Sequence, residues 1–284
     1  MTSDNLALSV GKPRKIGLRG VLDSISSLLE RRRLVYRLTL STLRKEGQDT
    51  VLGNLWWVLD PALQLFVYYL LVQVIFRQNQ PAVLLFLAVA ILPWKWFAAS
   101  LNSATNSVRS KEQIMRQVAF PHLVLPAATM LSNFMSFLFA IVPLMTLYLL
   151  YPERLTIWAV AIIPVALVQF CVTLPFVVLF SSLGVFFRDV SIFIPHVLRV
   201  WFYLSPALFS FEVLRAIGDE HPWFNLLINL NPFTWIFNGY RDALYYGRSP
   251  DWFSLAVVAI ASVPFTLLAI YLFRRSSPLF VKVL

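Results

Sequence analysis

Nowhere in this chain do two glycines stand five residues apart, although it holds nine of them. The phosphate-cradling loop G-x-x-x-x-G-K-[ST] therefore cannot be written, so no recognisable ATP site is expected. The three histidines, His122, His196 and His221, lie in different segments without the i, i+4 spacing of a helical metal site. A G-x-S-x-G nucleophile turn is missing as well. A single cysteine, Cys171, excludes an internal disulfide, and in its apolar run it reads as a small hydrophobe. Charge is scarce too: 13% of residues, against about 25% in a soluble domain. These absences leave no catalytic residue, no metal ligand and no cofactor bound by the chain itself.

What the 284 residues do hold is apolar sequence, 58% of the total, gathered into long runs. A membrane-crossing helix needs roughly 20 mostly apolar residues, because the hydrocarbon core is about 30 Å thick and each residue rises about 1.5 Å. The runs predict an all-α integral membrane protein with six transmembrane helices, over about 55–76, 82–101, 124–150, 157–187, 190–211 and 252–273. The fourth run is too long for one upright crossing and too short for two, so its Pro164 and Pro175 suggest a kinked or tilted helix. Residues 1–27 read as a flexible basic cytosolic tail without a secretory signal. Residues 28–47 read as an interfacial amphipathic helix, with Arg33, Arg37 and Arg44 on one stripe and Leu28, Val35 and Leu43 opposite. A soluble helix packed on another domain is the alternative. The transmembrane domain then fills 48–284.

The net charge of +10 does not imply nucleic acid, because ten of the 24 cations precede Asn54 rather than lining a groove. With both termini in the cytosol, seventeen Lys and Arg fall inside and five outside, as the positive-inside rule asks. Between Glu212 and Asp251, two aromatic stretches too short to cross meet at Asn231-Pro232. They read as a re-entrant helical pair before the last span, or else as a lid lying on the outer surface.

Three charges fall roughly 10–15 Å inside the spans, in their cytosolic halves: Asp60, Lys95 and Arg199. Intramembrane charges are costly and mark a pathway or pair with one another. Either Lys95 or Arg199 faces a conduit for an anionic substrate, or Asp60 forms an ion pair that locks two helices. The aromatics, 15% of the chain, include Trp96, Trp201 and Tyr203; rings at span ends form interfacial belts, whereas Trp201 and Tyr203 lie away from the ends and suit a sugar-stacking channel wall.

The order of motifs is specific: T-V-L-G-N-L-W-W-V-L-D-P from Thr50, F-F-R-D-V from Phe186, F-Y-L-S-P from Phe202, and L-N-P-F from Leu230 followed by G-Y-R-D-A-L. This order resembles the ABC-2 type permease subunits of polysaccharide exporters, which move O-antigen, capsule and teichoic-acid chains on lipid carriers. The resemblance covers about 28–273. It implies a homodimer bound to two copies of a separate ABC ATPase that supplies ATP and Mg, in a bacterial inner membrane. It also implies a channel between protomers lined mainly by the first and fifth spans; the candidates for its wall are Asp60, Arg199, Trp201 and Tyr203 on those spans, with Lys95 and Trp96 on the second. The inner loop from Ser107 to Pro121 would be the coupling helix, presenting Arg109, Lys111, Glu112, Gln113, Arg116 and Phe120 to the ATPase. Arg188 and Asp189 of the F-F-R-D-V turn would form a second inner contact, with the ATPase or the lipid pyrophosphate; a helix-end charge pair at the membrane interface is the alternative. The cargo implied is a lipid-linked polysaccharide, with a drug or small lipid as the alternative within the same architecture. The basic tail before Leu28 is longer than the family pattern.

Overall fold

The computed structural model describes residues 18–48, 52–75, 81–117 and 120–284. Thr50 and Val51 of the first motif lie outside the described residues. Among the described residues twelve α-helices follow one another and no strand is present. Helices α1 (Leu18–Glu30) and α2 (Arg32–Gln48) precede α3 (Trp56–Tyr69), which continues as a π-helical turn over Leu70–Ile75. Then come α4 (Val83–Ser107), the short α5 (Glu112–Gln117), α6 (Val124–Leu147), α7 (Ile162–Phe186) and α8 (Val190–Leu204). Helices α9 (Phe211–Glu220), α10 (Pro222–Leu230) and α11 (Pro232–Leu244) lead to the long α12 (Trp252–Val283).

Helix α4 sits at the centre because it is apolar on every side, and such a helix finds its lowest free energy fully enclosed. Each residue from Leu85 to Leu92 is at most 1% exposed, walled in by α3, α6, α7, α8 and α11. Gln169 of α7 reinforces it at its internal proline by donating to the Pro93 carbonyl at 2.7 Å, while accepting from the Tyr240 hydroxyl at 2.9 Å. Helix α12 packs on α7 with one face and leaves Val257, Ile260, Phe265 and Leu268 exposed on the other. An apolar exposed face of this size suits lipid, not water. Cys171 also points outward from α7 instead of into the interior.

Among the described residues four helices are long and apolar enough to cross a membrane: α4, α6, α7 with the 3-10 turn over Ile157–Ala161, and α12. The apolar parts of α3 and α8, Val58–Val74 and Val190–Leu204, are shorter. The fifth run was expected to reach 211, but the helix stops at Leu204. Ser205 precedes a proline, whose ring disfavours the helical region for the residue before it, and Ser205 is extended at φ −99° and ψ 153°. The 157–187 run resolves its awkward length by starting with a 3-10 turn and continuing as one helix.

Residues 1–17 of the expected tail lie outside the described residues. Residues 18–27 belong to α1, whose Val21 packs with Phe273 and Phe280 of α12. Helix α2 seats Val35 against Val124 and Ala128 of α6, and Thr39 donates to the Ala128 carbonyl at 3.3 Å. Arg33, Arg37 and Arg44 remain exposed on its other side.

Candidate functional site

Three places along the bundle gather the polar residues that an apolar protein must account for. The first lies at the end of α4. Ser107 donates to Ser181 of α7 at 2.9 Å, and Arg109 donates to the Val185 carbonyl at 3.2 Å. Between them the two backbones almost touch: a Cβ built on Gly184 would lie 1.8 Å from the Thr105 carbonyl oxygen. The segment that follows is a 3-10 turn and a six-residue helix, in which Arg116 pairs with Glu112 at 2.9 Å one turn away. Gln113 is exposed, Lys111 is half-buried, and Met115 is buried with Val108, Val185 and Phe280. Phe120 packs against the same cluster and makes an edge-on contact with His122, whose Nδ1 lies 2.8 Å from the Ser277 hydroxyl. Arg188 and Asp189 stand exposed just beyond Val185 in the α7–α8 turn. The two inner segments singled out in the sequence are thus tied to one another through the close α4–α7 contact.

The second place is the outward face shared by α3 and α8. Asp60 forms an ion pair with Lys95 of α4, so two of the three charges singled out in the sequence meet. Arg199 forms no ion pair among the described residues. It interacts electrostatically with Tyr68, as Gln64 and Tyr203 also do. Asp60, Gln64 and Tyr68 stand four residues apart on α3, and Arg199 and Tyr203 four apart on α8, which places each set on one helix face. Gln64 and Tyr68 were missed in the sequence reading; the i, i+4, i+8 spacing from Asp60 was the signal that could have found them. Trp56, Asp60 and Lys95 also border a cavity of about 430 Å³ that extends past Asn133 and Ser136. Trp96 borders it too, but its ring is buried against Phe134, Phe137 and Phe170.

The ion pair can be assigned a role by its thermodynamics. If it locks α3 to α4, Lys95→Met will cost ~1–3 kcal/mol, as loss of one partner of a charged hydrogen bond does, and adding Asp60→Asn will recover much of that. Thermal unfolding of the protein in nanodiscs measures both. Unchanged stability in Lys95→Met would remove the lock.

The third place is the break between α10 and α11. The Asn231 side chain accepts from Phe233 N–H at 3.0 Å, capping α11, and from the Trp201 indole at 3.1 Å, while its amide donates to Ser205 at 2.7 Å. Two of the motifs read separately in the sequence, F-Y-L-S-P and L-N-P-F, therefore meet in one hydrogen-bonded knot. Trp201 is part of the interior: Trp94, Phe97, Phe176 and Phe233 all contact its ring at centroid distances of 5.3–6.1 Å. Tyr203 points the other way and is 56% exposed. Arg241 of α11 is buried; its terminal nitrogens donate to the carbonyls of Pro206, Ala207 and Phe209, and its guanidinium lies 3.8 Å above the Phe86 ring. At the start of α12, Asp251 accepts from the N–H groups of Phe253 and Ser254, and hydrogen bonding by Ser254 holds its carboxyl below the usual carboxylate range.

No cluster of three or more metal-ligating side chains occurs among the described residues.

Residues 31–245 match the family model described as ABC-2 type transporter. Over 240 residues the chain is 31% identical to a protein named O-antigen export system permease protein RfbA from Myxococcus xanthus, covering 84% of this chain and 90% of that one. Two proteins of the same name from Klebsiella pneumoniae are each 25% identical over 254 residues, covering 88% of this chain and 95% of theirs.

Proposed function

Because the chain belongs to the ABC-2 type transporter family, we propose that it is the permease subunit of an ATP-driven exporter that carries a lipid-linked polysaccharide from the cytosol across a bacterial inner membrane. The observation that carries the cargo class is its 31% identity, over most of both chains, to a protein named as an O-antigen export permease. In this reading α3 and α8 join α4, α6, α7 and α12 as crossings, giving six. Both termini are cytosolic, and α10 and α11 form a re-entrant pair.

Two copies face each other through α3 and α8, so that Asp60, Gln64, Tyr68, Arg199 and Tyr203 line the path between them. Tyrosine rings offer the C–H faces of sugars a stacking surface and offer their hydroxyls a partner. Trp201 supports the wall from behind rather than lining it. The energy comes from two copies of a separate ATPase, which bind ATP and Mg and press on the 109–120 segment and on Arg188 and Asp189. The Thr105–Gly184 contact carries that displacement from α4 to α7, and the α7–α8 turn passes it to the channel wall.

The reading has a direct check in cells. A strain lacking this chain should retain lipid-linked polymer on the cytosolic side; normal surface polymer in that strain would overturn the function. With the deletion complemented by the Tyr68→Ala/Tyr203→Ala double variant, polymer export should fall at least tenfold with protein levels unchanged, equivalent to ~1.4 kcal/mol or more. Wild-type export by the double variant would sink the α3–α8 wall.

A further inference from the structure

At the end of the bundle opposite Arg109, a cavity of about 190 Å³ opens between α9, α11 and the first turn of α12. Its lining is unusual for a membrane protein. Phe211 and Trp235 contribute rings in mutual contact at 6.0 Å, and Glu212, Asn238, Asp242 and Arg248 contribute planar polar groups. From this arrangement we infer that the cavity is a saccharide-binding site that takes a single sugar ring.

The class of ligand follows by elimination and then by fit. Three carboxylates, from Glu212, Asp242 and Asp251, border the cavity, and its two guanidiniums are already engaged, Arg248 by Asp242 and Arg241 by backbone carbonyls, so an anion is disfavoured. They do not form a cation cage: no metal-holding group exists among the described residues, Asp242 is engaged by Arg248 at 2.6 Å, and Asp251 caps α12. A purely apolar guest would leave these charged and amide groups without partners on the cavity side. What remains is a neutral polyhydroxylated ring. Its adjacent hydroxyls both donate and accept, which matches carboxylate, amide and guanidinium groups side by side, and its C–H face matches an aromatic plane.

Arg241 also borders the cavity; it is 1% exposed, and its two terminal nitrogens are held by the Pro206 and Ala207 carbonyls, which fixes this part of the wall. The walls are also held in place beforehand. The Trp235 indole donates to the Asn229 carbonyl at 3.0 Å, and Arg248 lies over the Tyr246 ring at 4.9 Å while bonding Asp242. Pre-set walls of this kind lose little freedom on binding.

The inference rests on the exporter reading for the source of the sugar, a residue of the polymer as it leaves. It is tested on the full chain in nanodiscs with methyl glycosides of glucose, galactose, mannose, rhamnose and N-acetylglucosamine as probes, followed by saturation-transfer NMR. At least one should bind saturably, and both Trp235→Ala and Glu212→Gln should weaken it at least tenfold. Glu212 is exposed, so its variant keeps the test alive if Trp235→Ala does not fold. No saturable signal from any probe, wild-type affinity in folded Glu212→Gln, or displacement of the glycoside by calcium chloride would each overturn the site. The polymer-retention assay on the deletion strain is independent of this measurement: absent glycoside binding with polymer still retained in the deletion strain discards the cavity and leaves the exporter intact.

Discussion

Gly184→Ala will destabilise the protein even though alanine is the better helix former. In the middle of a helix the exchange ordinarily gains about 1 kcal/mol. Here the new methyl would fall 1.8 Å from the Thr105 carbonyl oxygen, 2.7 Å from its carbonyl carbon and 3.0 Å from its Cα. All three are backbone atoms of a buried helix, so no side chain can swing aside. The helices must separate, which stretches the Ser107–Ser181 bond and loosens Val185 from Arg109. Overpacking costs ~1–3 kcal/mol, and a backbone clash this short belongs at the upper end, ~2–3 kcal/mol, so the net effect after the helix gain should be a loss of ~1–2 kcal/mol. Thermal unfolding in nanodiscs reads this for Gly184→Ala, and Gly184→Leu should not accumulate as folded protein at all. An alanine variant as stable as the parent would mean that the α4–α7 approach is looser than described.

Arg241→Met should cost more, about 3–5 kcal/mol. The substitution keeps much of the side-chain volume but withdraws the donors from the Pro206, Ala207 and Phe209 carbonyls, and a buried acceptor left unmade costs ~1–3 kcal/mol. Loss of the cation over the Phe86 ring adds to this. Arg241→Lys separates charge from geometry: a single ammonium cannot reproduce the fork that reaches three carbonyls, so it should recover only part of the loss. The expected readout is a lowered unfolding temperature together with new protease cleavage near 205–210. Lysine performing as well as arginine would show that charge alone matters there.

Arg241 also shows where the sequence misled. By position it counted among the outer-loop cations, whereas its role comes from carbonyls more than thirty residues earlier. No local pattern announces such a partner. Pro206 is the opposite case: the proline rule was available, but Ala207, Leu208 and Phe209 continued the apolar run and hydropathy carried the expected span to 211. The long crossings were legible because apolar length is a local property, and the Asn231-Pro232 break was legible for the same reason. Helix α1 was not, because Val21 is held by α12, a partner some 250 residues later in the chain. Of the intramembrane charges, Asp60 and Lys95 come together as one of the two sequence readings required, and Arg199 does not join them. The aromatic assignment divides: Tyr203 is outward and Trp201 inward, a distinction fixed by Asn231 and invisible in a list of rings.

The central helix has a mechanical consequence. Twenty-five residues make α4 about 38 Å long, and it is gripped near both ends and at its proline: at Thr105 and Ser107 by α7, at Pro93 by Gln169, and at Phe86 beneath Arg241. A rod held this way behaves as a lever rather than a string of independent turns. In the exporter reading, a push delivered at Arg109 would be felt at Phe86, so the two ends of this helix would share one motion.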